Sequence, residues 1–299
     1  MSGPGPLAEA AAASRRFGDF VAVDAVDLRV EGGEVVGLLG ANGAGKTTLI
    51  RMLLGLLEPT GGRLSLFGEP PSMRTRLRIG YVPQSLGLYD DLTVRQNLAF
   101  VAGAFGVRER DALALPADLV AVQDQVVRDL SLGLRRRAAF ASALSHRPDL
   151  LMLDEPTSGV EPLARARLWD TIRETAEAGA GVLVTTHNME ESAQCDRLVV
   201  MVAGRVAASG TVAQVIGGRE AVEVRTDRWR AAFDALDTAS IPAILSGRTL
   251  RAIGGDAGAV GAALRRAGVE ANVHTVPATF EEAFVSLTLG SADDGSAER

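Results

Sequence analysis

The chain has 299 residues, 47% of them hydrophobic, which is enough to bury a full core and leads us to expect one large domain and a smaller one. Its 31 basic and 37 acidic residues give a formal net charge of −6, so we expect no nucleic acid among its partners, because a nucleic-acid binder normally carries a basic face. The single cysteine, Cys195, excludes an internal disulfide and fits a cytoplasmic setting. We recognise neither a signal peptide nor an apolar run long enough for a membrane helix.

The first elements of the chain are strands that lead into a glycine-rich loop. Residues 1–13 are small and rich in Pro, Gly and Ala, and we expect them to be flexible. Apolar residues alternate with others in residues 20–23 and 26–30, which predicts two strands. Residues 35–39 are apolar on both faces, as in a buried parallel strand, and the loop at 40–48 and an apolar-periodic helix follow.

The middle of the chain is mainly helical in pattern. Residues 78–82 predict one more short strand. Thr93 and Gln96 have the spacing of a capping box, which predicts a helix that begins just after Thr93. A basic amphipathic helix is predicted over residues 133–145, and we expect residues from about 85 to 145 to form a helical subdomain.

Strands and helices alternate over the remainder of the larger domain. Residues 150–153 and 182–185 predict buried strands, separated by a helix over residues 163–178. This alternation is typical of an α/β fold with a mostly parallel sheet and helices on both faces. We therefore expect one domain over residues 14–217.

The pattern changes near residues 217 and 218, where two glycines follow each other. Short strands and helices then alternate, and they predict a small α+β accessory domain over residues 218–290. The predicted strands are 222–224, 250–253 and 271–274, and the predicted helices are 228–236 and 259–267. Residues 291–299 are polar and are expected to be disordered.

The loop after the first buried strand has the pattern of a phosphate-binding P-loop. Gly40, Gly45, Lys46 and Thr47 match every fixed position of that pattern, between a strand and a helix. Such glycines let backbone N–H groups curl around phosphate oxygens, the lysine reaches the β- and γ-phosphates, and the threonine hydroxyl binds Mg²⁺. Lys46 is also the only lysine of the chain. We expect ATP to contact Gly40, Asn42, Gly43, Ala44, Gly45, Lys46, Thr47 and Thr48.

Two acidic residues follow the predicted strand at 150–153. Asp154 is expected to hold Mg²⁺ and Glu155 to polarise an attacking water. A solvated acidic turn is the alternative, and it is common for one acid but uncommon for two. Together with the P-loop, the acidic pair favours nucleotide hydrolysis.

Residues 14–213 resemble the ATPase domain of the ABC transporter family, and three further residues match its motifs. Gln84, in Tyr-Val-Pro-Gln, matches the glutamine loop, which implies contact with Mg²⁺ and a relay to the membrane partner. His187 matches the histidine that touches the γ-phosphate, and Phe17 matches the aromatic residue that stacks on adenine. Each of the three would be an ordinary loop, strand-end or core residue in isolation, and their order around the P-loop carries the resemblance. The implied fold is an ABC ATPase with a mostly parallel core sheet, an antiparallel β subdomain and a helical subdomain.

The family's signature sequence is present in altered form. Residues 130–134 read Leu-Ser-Leu-Gly-Leu, where the family more often has Leu-Ser-Gly-Gly-Gln. Ser131 and Gly133 keep the hydroxyl and the close-approach glycine at a helix N-terminus, which imply contact with ATP. This variant resembles the signature of drug and polysaccharide exporters. Three arginines, 135–137, follow, and we interpret at least two of them as a solvated helix face.

A second departure concerns the loop after the acidic pair, which reads Ser-Gly-Val-Glu-Pro, where the family usually has Ser-Gly-Leu-Asp-Pro. Glu161 is one methylene longer than Asp, and a displacement of its carboxylate by about an ångström would slow the chemistry. The resemblance therefore implies an active but slow ATPase.

The resemblance implies the motor subunit of an exporter at the cytoplasmic face of the cell membrane. Its partners would be a transmembrane permease on a separate chain and a second ABC ATPase protomer, identical or related, bound head to tail. The C-terminal residues 277–284 resemble the closing segment of exporter ATPases, and we interpret them as a packing helix. One alternative is a soluble ABC ATPase that acts on nucleic acid or ribosomes, and another is a regulatory subunit without turnover.

Overall fold

The computed structural model describes residues 5–107 and 115–294, and the chain divides into two compact units, residues 1–206 and 207–299. The strands are β1 (Ala8–Phe17), β2 (Phe20–Val30), β3 (Val35–Leu39), β4 (Gly61–Leu66), β5 (Ile79–Val82), β6 (Leu150–Asp154), β7 (Gly181–Thr186), β8 (Arg197–Val202), β9 (Arg205–Gly210), β10 (Glu220–Arg225), β11 (Ala243–Ser246), β12 (Thr249–Ile253) and β13 (Asn272–Pro277). The helices are α1 (Lys46–Leu53), α2 (Met73–Arg76), α3 (Val94–Ala104), α4 (Ala117–Val120), α5 (Leu132–Leu144), α6 (Pro162–Glu177), α7 (Val212–Ile216), α8 (Trp229–Thr238), α9 (Ala257–Arg266) and α10 (Phe280–Asp294).

A six-stranded sheet organises the first unit, in the order β5-β6-β7-β3-β8-β9. Strands β5, β6, β7, β3 and β8 pair in parallel, and every residue of β3, β6 and β7 is buried. This burial explains why those strands have no polar face in the sequence. The carboxyl ends of β5, β6, β7 and β3 meet at one edge, where α/β sheets bind their ligands.

A three-stranded antiparallel sheet, β2-β1-β4, packs its small and apolar residues into the same core. The strands of this sheet show that two predictions are wrong. The expected flexible segment 1–13 includes the start of β1, because Ala8, Ala10 and Ala13 are buried between neighbouring strands. The two strands predicted at 20–23 and 26–30 are one continuous strand, β2, with Ala25 in a left-handed conformation (φ 48°) between them.

Helices α3, α5 and α6 begin close to where the sequence places them. Helix α3 has the predicted capping box, in which Thr93 accepts from the N–H of Gln96 and the Gln96 side chain accepts from the N–H of Thr93. Helix α5 begins at Leu132, one residue before the prediction, with Ser131 as its N-cap. Helix α6 begins at Pro162, after Glu161. Among the helices within 5–107 and 115–294, none is long and apolar enough to cross a membrane.

The second unit contains the predicted strands and helices and one more strand, β11. Its order β10-α8-β11-β12-α9-β13 forms an antiparallel sheet, β11-β12-β10-β13, with the topology of a split β-α-β fold. One apolar cluster joins the helices to one face of this sheet. The division after Val206 falls inside β9, whereas the sequence pattern placed the domain boundary after Gly217.

Helix α10 extends to Asp294, so residues 291–294, which we expected to be disordered, continue the helix. Residues 295–299 lie outside the described residues. As interpreted from the sequence, the closing segment is a packing helix, with Ala283 and Phe284 buried. Glu282 of α10 is buried and forms an ion pair with Arg251 of β12. Burial alone would raise the pKa of Glu282, but the contacts with Arg251 and Thr279 together lower it.

Candidate active site

The P-loop connects the end of β3 to α1 and has the backbone that its glycines permit. Gly43 and Gly45 have φ values of 84° and 100°, which side-chain-bearing residues rarely adopt. A Cβ atom at Gly45 would also lie 2.4 Å from the carbonyl oxygen of Ala22. The turn therefore requires glycine at this position, and Gly45 caps the N-terminus of α1, where the helix dipole favours an anion.

The side chain of Lys46 forms hydrogen bonds with the backbone of the P-loop. Its side-chain Nζ donates to the carbonyl oxygens of Gly40 (2.7 Å) and Ala41 (3.1 Å), and the residue is only 5% exposed. Burial lowers the pKa of Lys46, and the nearby carboxylates of Glu155 and Asp154 partly oppose this shift. Its ammonium lies 3.8 Å from Glu155 Oε1, so the P-loop and the acidic pair form one site.

Asp154, at the end of β6, receives two hydroxyl groups. Thr185 Oγ1 donates to Asp154 Oδ1 at 2.7 Å, and Thr47 Oγ1 donates to the same oxygen at 3.2 Å. The Glu155 N–H donates in turn to Thr185 Oγ1 at 2.9 Å. The Thr47 hydroxyl and the Asp154 carboxylate are hard oxygen donors that face each other, and this donor set fits Mg²⁺.

Glu155 is the point where the other predicted catalytic residues meet. His187 Nδ1 lies 3.3 Å from Glu155 Oε1, and Gln84 Nε2 lies 3.4 Å from Glu155 Oε2. Glu155 is itself buried and has a left-handed backbone conformation, with φ of 50°. Such a conformation is costly for a residue with a side chain, and the surrounding structure must stabilise it.

A cavity of about 330 Å³ opens over the P-loop. It is lined by Phe20, Ala22, Asn42, Gly43, Gly45, Lys46, Thr47, Thr48, Gln84 and Glu155. Two other P-loop residues support it: Ala44 is buried, and Gly40 accepts the hydrogen bond from Lys46. Phe17, the residue matched to the adenine-stacking position, is not among the lining residues. It pairs with Phe20 across the β1–β2 turn, and the guanidinium of Arg15 lies 4.5 Å from its ring.

Ser131 and Gly133 lie at a different cavity, of about 300 Å³, whose lining includes no P-loop residue. The Ser131 hydroxyl caps α5 by accepting from the Leu134 N–H at 3.4 Å. The lining also includes Glu161, the altered acidic residue of the loop before α6. Leu132 packs against Gly159 of that loop, since a Cβ atom on Gly159 would lie 3.3 Å from Leu132 Cδ2.

The structure adds two residues that the sequence did not identify. Thr185 links Asp154 to Glu155 by hydrogen bonds to both residues. The sequence feature that could have indicated this role is the pair of threonines at the end of an otherwise apolar buried strand. Arg136 is buried among backbone carbonyls of the loop that begins with Glu155. Its neighbours Arg135 and Arg137 instead form ion pairs with Asp90 and Asp118.

Known proteins that are similar to this chain are ATP-binding subunits of ABC transporters. The chain is 41% identical over 285 residues to the Nod factor export ATP-binding protein I of Cupriavidus metallidurans, covering 91% of this chain and 94% of that protein. It is 42% identical over 212 residues to the probable multidrug ABC transporter ATP-binding protein YbhF of Escherichia coli. This match covers 68% of the chain but only 37% of the length of YbhF.

A solved structure described as the ATP-binding subunit of an ABC transporter has a TM-score of 0.64 and 31% identity, over 70% of this chain and 91% of that one. The profile of the ABC transporter family matches residues 23–158, which include the P-loop, Gln84, Ser131 and the acidic pair. The chain belongs to the ABC transporter ATP-binding family.

Proposed function

We propose that this chain is the ATP-hydrolysing motor subunit of an ABC exporter, bound to a transmembrane permease on a separate chain at the cytoplasmic face of the membrane. The observation that carries the proposal is the convergence on Glu155 of Lys46, Gln84 and His187, each within 3.8 Å of its carboxylate. These residues and Glu155 follow four different parallel strands, β3, β5, β6 and β7, so only the folded chain brings them together.

We assign each of these residues a proposed role that is consistent with its position. The P-loop N–H groups and Lys46 would bind the phosphates of ATP. Thr47 and Asp154, with Gln84, would hold Mg²⁺, which neutralises charge on the phosphate oxygens. Glu155 would accept a proton from the attacking water at its carboxylate, and His187 would orient that carboxylate and contact the γ-phosphate.

We also propose that the complete site needs a second protomer. Ser131 and Gly133 are suited to contact ATP, yet they line a cavity without P-loop residues. A head-to-tail pair would place this cavity of one protomer against the P-loop of its partner. ATP would then join the two protomers, and hydrolysis would release them. The partner is either an identical or a related ATPase chain.

The export role is supported by the similar proteins, one of which is named for Nod factor export and another for multidrug transport. ATP-binding subunits of ABC transporters work with transmembrane components. The acidic net charge of −6 and the altered signature sequence favour this role over action on nucleic acid or ribosomes. The transported substrate would contact the permease.

The first test is the substitution Glu155→Gln, which keeps the size of the side chain but removes its basicity. We expect the ATP turnover number to fall by about 10²- to 10⁴-fold, the range of general-base contributions, while ATP still binds. Glu174→Gln is the matched control, because Glu174 is exposed on α6. An unchanged rate of phosphate release in Glu155→Gln would contradict the proposed catalytic role.

The second test addresses the partner. Glu155→Gln, loaded with ATP, is used as bait for detergent-solubilised membranes of the host cell. We expect it to recover a polytopic membrane protein and a second ATPase protomer, and to lose the membrane protein when residues 88–92 are substituted. Recovery of ribosomes or nucleic acid alone would contradict the exporter role and leave the ATPase role intact.

A further inference from the structure

Arg136 is the most deeply buried arginine near the proposed active site. It lies on α5 and is 5% exposed. Its Nη1 donates to the carbonyl oxygens of Glu155 (2.9 Å) and Pro156 (2.7 Å), and its Nη2 donates to that of Ser158 (2.5 Å). One side chain therefore binds three carbonyls of the short loop that begins at Glu155.

A guanidinium is suited to these contacts. Its donors lie in one plane at fixed angles, so it can satisfy several carbonyl groups at once, whereas an ammonium group presents a point charge on a flexible stem. A buried cation without a paired carboxylate is costly, and burial lowers the pKa of Arg136. The negative charges of Glu155 and Glu191 oppose this shift. The guanidinium of Arg136 is therefore a buried cation whose partners are backbone carbonyls of the loop.

The same loop is held on its other side. Thr157 Oγ1 donates to the buried carboxylate of Glu191, which also accepts from Thr186 Oγ1 at 2.6 Å. Thr186 directly precedes His187, so this contact fixes the loop to the histidine side of the site. Arg136 fixes it to α5, whose first residues carry the signature sequence.

We propose that Arg136 is a positioning residue for ATP hydrolysis, which sets the orientation of Glu155 and connects it to the N-terminus of α5. This inference rests on the proposed role of Glu155. In a head-to-tail pair, Glu155 would serve the ATP bound by its own P-loop, and Ser131 would serve the ATP of the partner. Arg136 would then connect two half-sites that contact different ATP molecules. ATP binding at one half-site would therefore affect the residues of the other.

The test compares Arg136→Lys with wild type in the full-length protein. Lysine keeps the charge but cannot bind three carbonyls in one plane. We expect kcat to fall by about 10- to 100-fold, since a misplacement near 1 Å at a reacting group costs up to about 10²-fold. We expect the Kd for MgATP, measured by isothermal titration calorimetry, to stay within about twofold, because Arg136 lies outside the residues that line the P-loop cavity. Arg135→Lys is the matched control, since Arg135 lies on the same helix but pairs with Asp90.

The double variant Arg136→Lys/Glu155→Gln separates positioning from a general structural role. If Arg136 acts through Glu155, its substitution produces no further loss of turnover once the Glu155 carboxylate is gone. Additive losses, or equal losses of ATP affinity and turnover, would overturn the inference. Arg136→Gln, which retains an N–H donor without the charge, is measured in the same way, so a folding defect of the lysine variant does not decide the outcome.

The two proposals fail differently. If Glu155→Gln lowers turnover and Arg136→Lys does not, Arg136 is not a positioning residue, and the proposed function stands. If Glu155→Gln has no effect, the proposed catalytic role of Glu155 fails first, and with it the inference about Arg136.

Discussion

Glu161, which is one methylene group longer than aspartate, lies at the N-terminus of α6. It occupies the N-cap position of α6, but its side chain makes no capping hydrogen bond, and Pro162 follows at the first helical position. Aspartate is among the best N-cap residues because its short side chain reaches the N–H groups of the first turn. Glu161 also lines the cavity at Ser131 and Gly133, so its carboxylate belongs to the half-site proposed to face the partner protomer.

The substitution Glu161→Asp is therefore expected to have two effects. A new capping hydrogen bond should raise the free energy of unfolding of the first unit by about 0.5 to 1 kcal/mol. A carboxylate placed as in most family members should raise ATP turnover. Urea unfolding and steady-state phosphate release measure the two effects separately. Unaltered turnover in Glu161→Asp would show that the longer side chain does not slow the enzyme.

The sequence was sufficient to predict most of the site at this scale, because its motifs fix both residue type and spacing. Lys46, Thr47, Asp154, Glu155, Gln84 and His187 lie together as expected. The role of Arg136 could not be predicted. Three consecutive arginines on a helix point in directions about 100° apart, and only the packing of α5 determines which one is buried. The adenine-stacking role of Phe17 stays a prediction, since it is Phe20 that lines the cavity.

At the scale of elements, the buried strands β3, β6 and β7 are the most predictable, because apolar runs next to loops leave few alternatives. The sequence pattern does not predict strand β11, which has only four residues, none of them fully buried. The start of β1 was assigned to a flexible segment because alanine and glycine carry little strand preference, and only pairing with β2 and β4 determines its structure. The continuous helix α10 was cut short in the prediction because its last residues are polar.

One short connection between elements contains a partly buried titratable group. His146, after α5, stacks on Phe105 with ring centroids 3.8 Å apart, and its Nε2 lies 3.0 Å from the carbonyl oxygen of Ile79 in β5. Its Nδ1 is buried and has no hydrogen-bond partner among the described residues. Burial lowers the pKa of His146 below its ordinary value of 6.5.

This shift predicts a loss of stability in mild acid. Between the ordinary pKa of 6.5 and the lower pKa of the folded state, the unfolded chain binds more protons than the folded one, so the free energy of unfolding falls as pH falls. His146→Gln removes the titrating group, and we expect its stability to decrease less than that of wild type between pH 7.5 and 5.5. His274→Gln, in an exposed position of β13, is the control. Equal pH dependence of wild type and His146→Gln, measured by urea unfolding, would contradict this explanation.

At the scale of the whole molecule, the two units have separate apolar cores. The core of the first unit lies around β3, β6, β7 and the antiparallel sheet, and that of the second joins α8 and α9 to their own sheet. The boundary falls inside β9, which pairs in the sheet of the first unit, whereas α7 packs against α10 of the second. Gly210, the last residue of β9, is therefore the best place to divide the chain before α7.

A chain of residues 1–210 is expected to fold and to bind MgATP within about threefold of the full-length affinity, because all residues proposed to contact ATP lie within it. A chain of residues 1–217 is the comparison. It retains α7 but lacks α10, so Val215, which is buried in the full chain, becomes exposed, and we expect this chain to be less soluble. Loss of ATP binding in the 1–210 chain would show that the second unit is needed for the site.

The single lysine gives the molecule a built-in reporter of its own P-loop. A lysine-specific protease can cut only after Lys46, into fragments 1–46 and 47–299, and in the native state that bond is in a loop–helix junction with its side chain buried. Cleavage therefore requires the P-loop to open, and its rate reports the fraction of molecules in which this loop is open. MgATP should slow that cleavage in proportion to its occupancy. No other loop of the chain contains a lysine at which this protease could cut. Local opening of the P-loop can therefore be followed by gel electrophoresis without any label.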